Sequence, residues 1–203
     1  MDYTHPVSDD QLSRTRDALK ANGISSVVAE TADEARQEIF KLLPNDAEVM
    51  TMTSVTLDTL GVTKEINESG KYKSVREHFK TLDDKKDVSV KQKLGAAPDY
   101  AIGSVHAITE DGKVVIASNT GSQLPAYVYG AQHVIWVVGT QKIVPNLDAA
   151  LKRVYDHVLP LESKRAHEAY GVPGSFVSKL LIINKEINPQ RLTIVFVKQA
   201  LGF

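Results

Sequence analysis

Residues 100–151 read YAIGSVHAITEDGKVVIASNTGSQLPAYVYGAQHVIWVVGTQKIVPNLDAAL, and this stretch decides the fold. Tyr100–Thr109 and Lys113–Ala117 read as strands on either side of Asp111-Gly112, a dipeptide that predicts a two-residue hairpin. The polar residues Ser118–Gln123 follow as a loop leading into a short helix. Val134–Val138 is an unbroken apolar run containing a tryptophan, the pattern of a strand buried on both faces. Beyond Pro145, Leu147, Ala150, Leu151, Val154 and Val158 recur at helical spacing. Strand, loop, helix, strand and helix in this order build a ligand site. A loop passing from a strand end into a helix can turn its backbone amides toward an anion.

Reading outward, Ser8 with Gln11 and Thr31 with Glu34 have the spacing of helix capping boxes. Ala35, Ile39, Leu42 and Leu43 then form an apolar stripe. Ser25–Ala29 and Glu48–Met52 read as short strands, and Thr53–Leu60 as a brief helix ending at Gly61. Residues 64–97 are charged and poor in large apolar side chains. They predict solvated helix and loop or a mobile segment, and whether residues 64–87 close over a site as a lid is not decided by the sequence. Leu180–Ile183 and Leu192–Val197 are the last strands, and residues 184–191 between them are too few for a crossover helix, which predicts an antiparallel pair. The expected fold is α/β, a mixed and mainly parallel sheet flanked by helices, in a single domain covering residues 1–203.

Composition narrows the function. The 203 residues are 42% hydrophobic and 24% charged, and 24 basic residues face 25 acidic ones for a net charge of −1. This balance speaks against a general nucleic-acid binder. No apolar run is long enough to span a bilayer, and the amino-terminal residues lack a signal-peptide core, so no membrane association and a cytoplasmic location are expected. The chain contains no cysteine, so it offers neither a thiol nucleophile nor iron–sulfur ligands. Its histidines show no metal-ligand spacing, and no metal site is expected.

The candidate ligand-binding residues are Asn119, Thr120, Gly121, Ser122 and Gln123. Their amides, hydroxyls and carboxamides would cradle a phosphate or carboxylate, with Gly121 permitting close approach of the backbone. The same residues also suit a plain βα turn capped by Ser122. Lys142 follows the buried strand and is placed to meet an anion at its carboxyl end, or else is a surface lysine. Ser54 and Thr56 would form a second wall or merely cap their helix. His106 and Glu110 are the catalytic candidates, as general base, acid or nucleophile, against a reading as ordinary hairpin residues.

Together these stretches resemble the lactate-utilisation (LUD) domain family. The resemblance rests on Ala107-Ile108-Thr109-Glu110-Asp111-Gly112, on Gly121 with its polar neighbours, and on Gly130-Ala131-Gln132-His133-Val134-Ile135. It continues through Val138–Leu147 and the closing Leu192–Phe203. It implies a fold like that of ribose-5-phosphate isomerases, CoA transferases and formyltetrahydrofolate cyclo-ligases, which bind anionic ligands over the carboxyl ends of their strands. It also implies an accessory role in lactate or 2-hydroxy-acid utilisation beside iron–sulfur oxidoreductase partners, with a small anionic metabolite as ligand. A stand-alone isomerase or acyl/CoA-transferase-like enzyme is the alternative, and a non-catalytic scaffold for iron–sulfur proteins is another; a homo-oligomer is compatible with each. The chain departs from the family in three places. It has His106 where many relatives carry Asn, and Gly121-Ser122-Gln123 where many have Gly-Asn-Arg. Between Gly171 and Lys179 it lacks the cysteine cluster of some members, so any cluster must sit on a partner.

Overall fold

Caps and apolar spacing set the first elements where the sequence expects them. The Oγ of Ser8 accepts from the Gln11 amide at the start of α1 (Asp9–Ala21), and Oγ1 of Thr31 accepts from the Glu34 amide at the start of α2 (Ala32–Leu42). Each cap satisfies an amide left free in the first turn. The computed structural model describes residues 2–203. In chain order, β1 (Ser25–Ala29) lies between these helices, and β2 (Glu48–Thr51), α3 (Val55–Thr59) and α4 (Val62–Glu68) follow. Next come β3 (Lys73–Ser74), α5 (Val75–Lys80), α6 (Val88–Ala96), β4 (Tyr100–Gly103), β5 (Ala107–Thr109) and β6 (Val114–Ser118). The last third holds β7 (His133–Gly139), β8 (Ile143–Val144), α7 (Leu147–Arg153), α8 (Leu159–Tyr170), β9 (Lys179–Ile183) and β10 (Leu192–Val197).

The strands form two sheets. The larger has six strands in the order β1-β10-β7-β4-β2-β3, and every pair in it is parallel. Helices cover both its faces, which is why β7 and β10 read as near-continuous apolar runs. Trp136, fully buried on β7, meets Tyr127 edge-on with ring centroids 5.5 Å apart. The smaller sheet has the order β8-β5-β6-β9 and mixes parallel and antiparallel pairs.

This arrangement corrects four expectations. Tyr100–Thr109 is not one strand: β4 pairs in the large sheet, β5 in the small one, and Ser104–His106 carry the chain across. The hairpin after β5 turns through Glu110, Asp111 and Gly112, one residue longer than expected, with Gly112 at φ 80° and the Thr109 amide donating to the Lys113 carbonyl. The last two strands do not pair. β9 lies antiparallel to β6, whereas β10 runs parallel between β1 and β7. The intervening loop changes sheets, anchored by the Arg191 guanidinium on the carbonyls of Ala126, Tyr127 and Ala131. Finally, the charged segment 64–97 contains short helices but also β3, an edge strand hydrogen-bonded to β2.

Gly103 is the pivot of the crossing. A Cβ there would lie 1.9 Å from Tyr127 Oη and 3.1 Å from Met52 Cβ. Gly103→Ala should therefore cost about 1–3 kcal/mol of overpacking. Adding Tyr127→Phe, which removes the nearest obstructing atom, should recover part of that loss in urea denaturation. Strictly additive losses would show that the contact is not the cause.

Candidate functional site

All strands of the large sheet point the same way, so the residues following them gather along one edge. Thr53 and Ser54 after β2, Ser104 to His106 after β4 and Lys142 after β7 line one cleft of about 450 Å3 there. The loop after β6 forms one wall, and α7–α8 the other. These two helices run on as a single rod through a π-helical turn, Val154–Val158. A larger and more open hollow of about 910 Å3 adjoins the cleft and shares Thr53, Asp58 and Arg76 with it. Its lysines include Lys80 and Lys91, which are paired with Glu77 and Asp84. Only the smaller cleft reaches buried titratable groups.

Lys142 forms the floor. Its side chain is 1% exposed, and Nζ donates to Ser104 Oγ (3.1 Å), the Val105 carbonyl (3.2 Å) and Thr56 Oγ1 (3.3 Å). The two hydroxyls can accept because their own protons go to other carbonyls, Ser104 to Val137 and Thr56 to Leu201. No carboxylate touches the amine. Burial, with a smaller push from the Arg153 guanidinium, lowers its pKa from 10.5 to about 7.

His106 stands beside it. The Ala117 amide donates to Nδ1 at 3.0 Å. A backbone amide cannot give up its proton, so the neutral ring carries its own on Nε2. Burial first, then the charges of Lys142 and Arg153, depress the imidazole pKa to about 3. The expected general base is thus a neutral hydrogen-bond donor. Behind it Arg153 is fully buried, donates Nη1 to the His106 carbonyl and lies over the Tyr3 ring. Its Nε and Nη2 have no hydrogen-bond partner. Both buried cations of this corner therefore lack a counter-charge, a costly state that an anion would relieve.

The other candidates divide. Asn119, Thr120, Ser122 and Gln123 line the cleft, as do Ser54 and Thr56. The amide cradle is corrected: the Gly121 amide donates to Ser118 Oγ (2.8 Å) and the Ser122 amide to Thr120 Oγ1 (3.3 Å), so the loop consumes these donors itself. Ser118 Oγ in turn donates to Gln123 Oε1. Gly121, at φ 85°, is packed against the aliphatic stem of Lys179 rather than facing the cleft. The short helix expected after the loop is present: Leu124 and Pro125 lead into a π-helical turn, Ala126–Gly130. Ser54 both caps α3 and borders the cleft. Glu110 is corrected as well: it accepts from Gln11 Nε2 at 2.9 Å on the far hairpin, and it does not line the cleft.

Ser104, Arg76 and Arg165 border the cleft without having been singled out in the sequence. Ser104 follows a strand-end glycine, which was the available signal; nothing local marked the arginines. Arg76 reaches the Thr51 carbonyl from α5. Arg165 is held by both oxygens of Glu162 (2.6 and 2.7 Å), and this pairing raises its pKa further. Among the described residues no group of three His, Asp or Glu side chains could hold a metal ion. Among the same residues no helix is long and apolar enough to cross a membrane.

A parallel α/β sheet carrying a donor-lined cleft at its carboxyl edge defines the class of protein. The LUD domain model matches residues 12–197, and the chain belongs to the LUD domain family. A DUF162 family protein from Deinococcus radiodurans superposes with a TM-score of 0.57 at 14% identity, over 95% of this chain and 99% of that one. This likeness supports the fold alone. eIF2B beta from Chaetomium thermophilum overlaps with a TM-score of 0.40 at 10% identity, over 58% of this chain and 44% of that one. Ribose 5 phosphate isomerase A from Neisseria gonorrhoeae overlaps with a TM-score of 0.35 at 12% identity, over 58% and 56% respectively. Overlaps this loose carry no weight for fold or function. No curated protein matches the sequence.

The state of Lys142 has a measurable consequence. The unfolded chain keeps the lysine proton to about pH 10.5, whereas the folded amine holds it only to about 7. Between these values the unfolded state carries the extra proton, so ligand-free stability should rise with pH across that window. Lys142→Met should flatten this part of the rise in urea midpoints taken from pH 7 to 9. Parallel curves for the two proteins would place the Lys142 pKa at its ordinary value.

Proposed function

We propose that this LUD-domain chain binds a small organic anion in the cleft and acts as an accessory component of lactate or related 2-hydroxy-acid utilisation. One observation carries the binding: at the cleft floor the buried Lys142 ammonium, its three N–H groups held by Thr56, Ser104 and Val105, stands beside the Nε2–H of His106 with no carboxylate to balance its charge. An anion there would accept from His106 Nε2–H and, with a small movement of the amine, from Lys142. It would also draw the Lys142 pKa back upward, because opposite charges favour the protonated amine. The metabolic setting follows from the family. With no cysteine in the chain, electron transfer is assigned to iron–sulfur partner proteins. A stand-alone enzyme using Glu110 or His106 as base has no geometric support, since one lies outside the cleft and the other presents a proton.

Thermal unfolding against lactate, pyruvate, sugar phosphates and CoA esters tests this reading. A ligand at a hundred times its dissociation constant adds about 2.7 kcal/mol, a Tm shift of roughly 5–11 °C for this size. Lys142→Met and His106→Phe should each remove most of the shift while keeping the far-UV spectrum. A full shift in both variants would move the site elsewhere.

A further inference from the structure

The donor corner takes up only one end of the cleft. The remainder is walled by Val154, Val158 and Leu159 from the helical rod and by Phe176 and Val177 from the strap that follows it. Val154 and Val158, four residues apart at the ends of the π-helical turn, lie on one face of the rod and are buried, and the half-buried Leu159 follows them at the cleft. The strap is not loose. Ser175 donates its amide to Ser163 Oγ at 3.1 Å, and His167 Nδ1 lies 2.9 Å from the Val172 carbonyl, fixing the strap at both ends. Yet Phe176 is 66% exposed and Tyr170 64%. Two aromatic rings at the mouth of a cleft whose floor is polar leave apolar surface facing water, surface that a bound molecule would cover.

Size points the same way. About 450 Å3 falls within the range of roughly 300–1,000 Å3 typical of sites for drug-sized ligands. A three-carbon acid engaging Lys142 and His106 would leave the apolar wall and both exposed rings wet. The carboxylates in the lining do not change this division: Glu162 is held by Arg165, and Asp58 stands at the exposed rim.

We infer that the ligand of this cleft is an amphipathic organic acid, a carboxylate head joined to a branched or aromatic body. The head lies on the Lys142–His106 floor and the body against Val158, Leu159 and Phe176. This rests on the anion-binding reading above and narrows it from lactate itself to 2-hydroxy or 2-oxo acids with longer apolar side chains.

Calorimetric titration of the full chain with pyruvate, 2-oxobutanoate, 4-methyl-2-oxopentanoate and phenylpyruvate, and with phenethyl alcohol as a neutral analogue, tests it. Affinity should rise along the acids by about four-fold for each methylene buried, the equivalent of 0.8 kcal/mol. Phe176→Ala alters an exposed residue and should fold normally. It should weaken phenylpyruvate several-fold and leave pyruvate unchanged, whereas Lys142→Met should weaken both. Equal affinities along the series, or an unaltered phenylpyruvate affinity in Phe176→Ala, would overturn this inference and leave the anion site standing. Phenethyl alcohol binding as tightly as phenylpyruvate would overturn it too, by removing the need for a head group. Failure of every acid to bind would remove the anion site and this inference together.

Discussion

One amine ties the carboxyl edge of the large sheet together. Lys142 follows β7, Ser104 and Val105 follow β4, and Thr56 lies on the helix after β2; these three strands are neighbours in the sheet. The three hydrogen bonds from Nζ draw the exits of three parallel strands to one point and close the base of the cleft. They can do so only because the strands run parallel, which places their carboxyl ends side by side. The same burial that allows this geometry strips water from the ammonium and leaves its charge without a partner. The bracing of the strand exits and the uncompensated charge therefore belong to the same atom. What makes Lys142 a good brace makes it a poorly solvated cation.

The second constraint is the change of sheet at Ser104–His106. Had β4 continued straight on, these residues would have alternated between the faces of the large sheet. Instead the chain leaves through Gly103, whose missing Cβ makes room for the Tyr127 hydroxyl, and His106 pairs with β6 through its amide and its ring. This pairing fixes the imidazole tautomer and turns a residue suited to proton transfer into a fixed donor. Arg153 braces the same point from behind through the His106 carbonyl. The crossing thus supplies both the floor of the cleft and its electrostatic sign.

Much of this was legible in the chain because it depends on local chemistry. Ser8 and Thr31 cap the helices that their spacing announces, and Ser54 caps α3 as one of its two readings allowed, since a cap is a contact three residues long. The apolar run of β7 marked a strand buried on both faces, and the cleft-lining residues Asn119, Thr120, Ser122 and Gln123 were found by their polarity. What the loop does was not legible. Its amides were expected to face a ligand, but Ser118 and Thr120 take them, and a serine or threonine serves either role equally well in a sequence. The pairing of the last two strands failed for a similar reason: loop length limits where a strand can go without choosing among the partners in reach. Glu110 looked like a neighbour of His106 because it is close in sequence, yet β5 (Ala107–Thr109) lies between them and sets them at opposite ends of an extended strand.

The sequence by itself determined most of the elements, the first helix caps, the mainly parallel α/β class and the family, all properties set by neighbours within a few residues or by patterns repeated along the chain. The tertiary structure alone decided which polar residues share a cavity, which nitrogen of His106 holds the proton, and that Lys142 is buried rather than solvated. These are set by desolvation and by hydrogen bonds between residues such as Thr56, Ser104 and Lys142, up to 86 positions apart, and burial of that kind exists only once the strands are side by side.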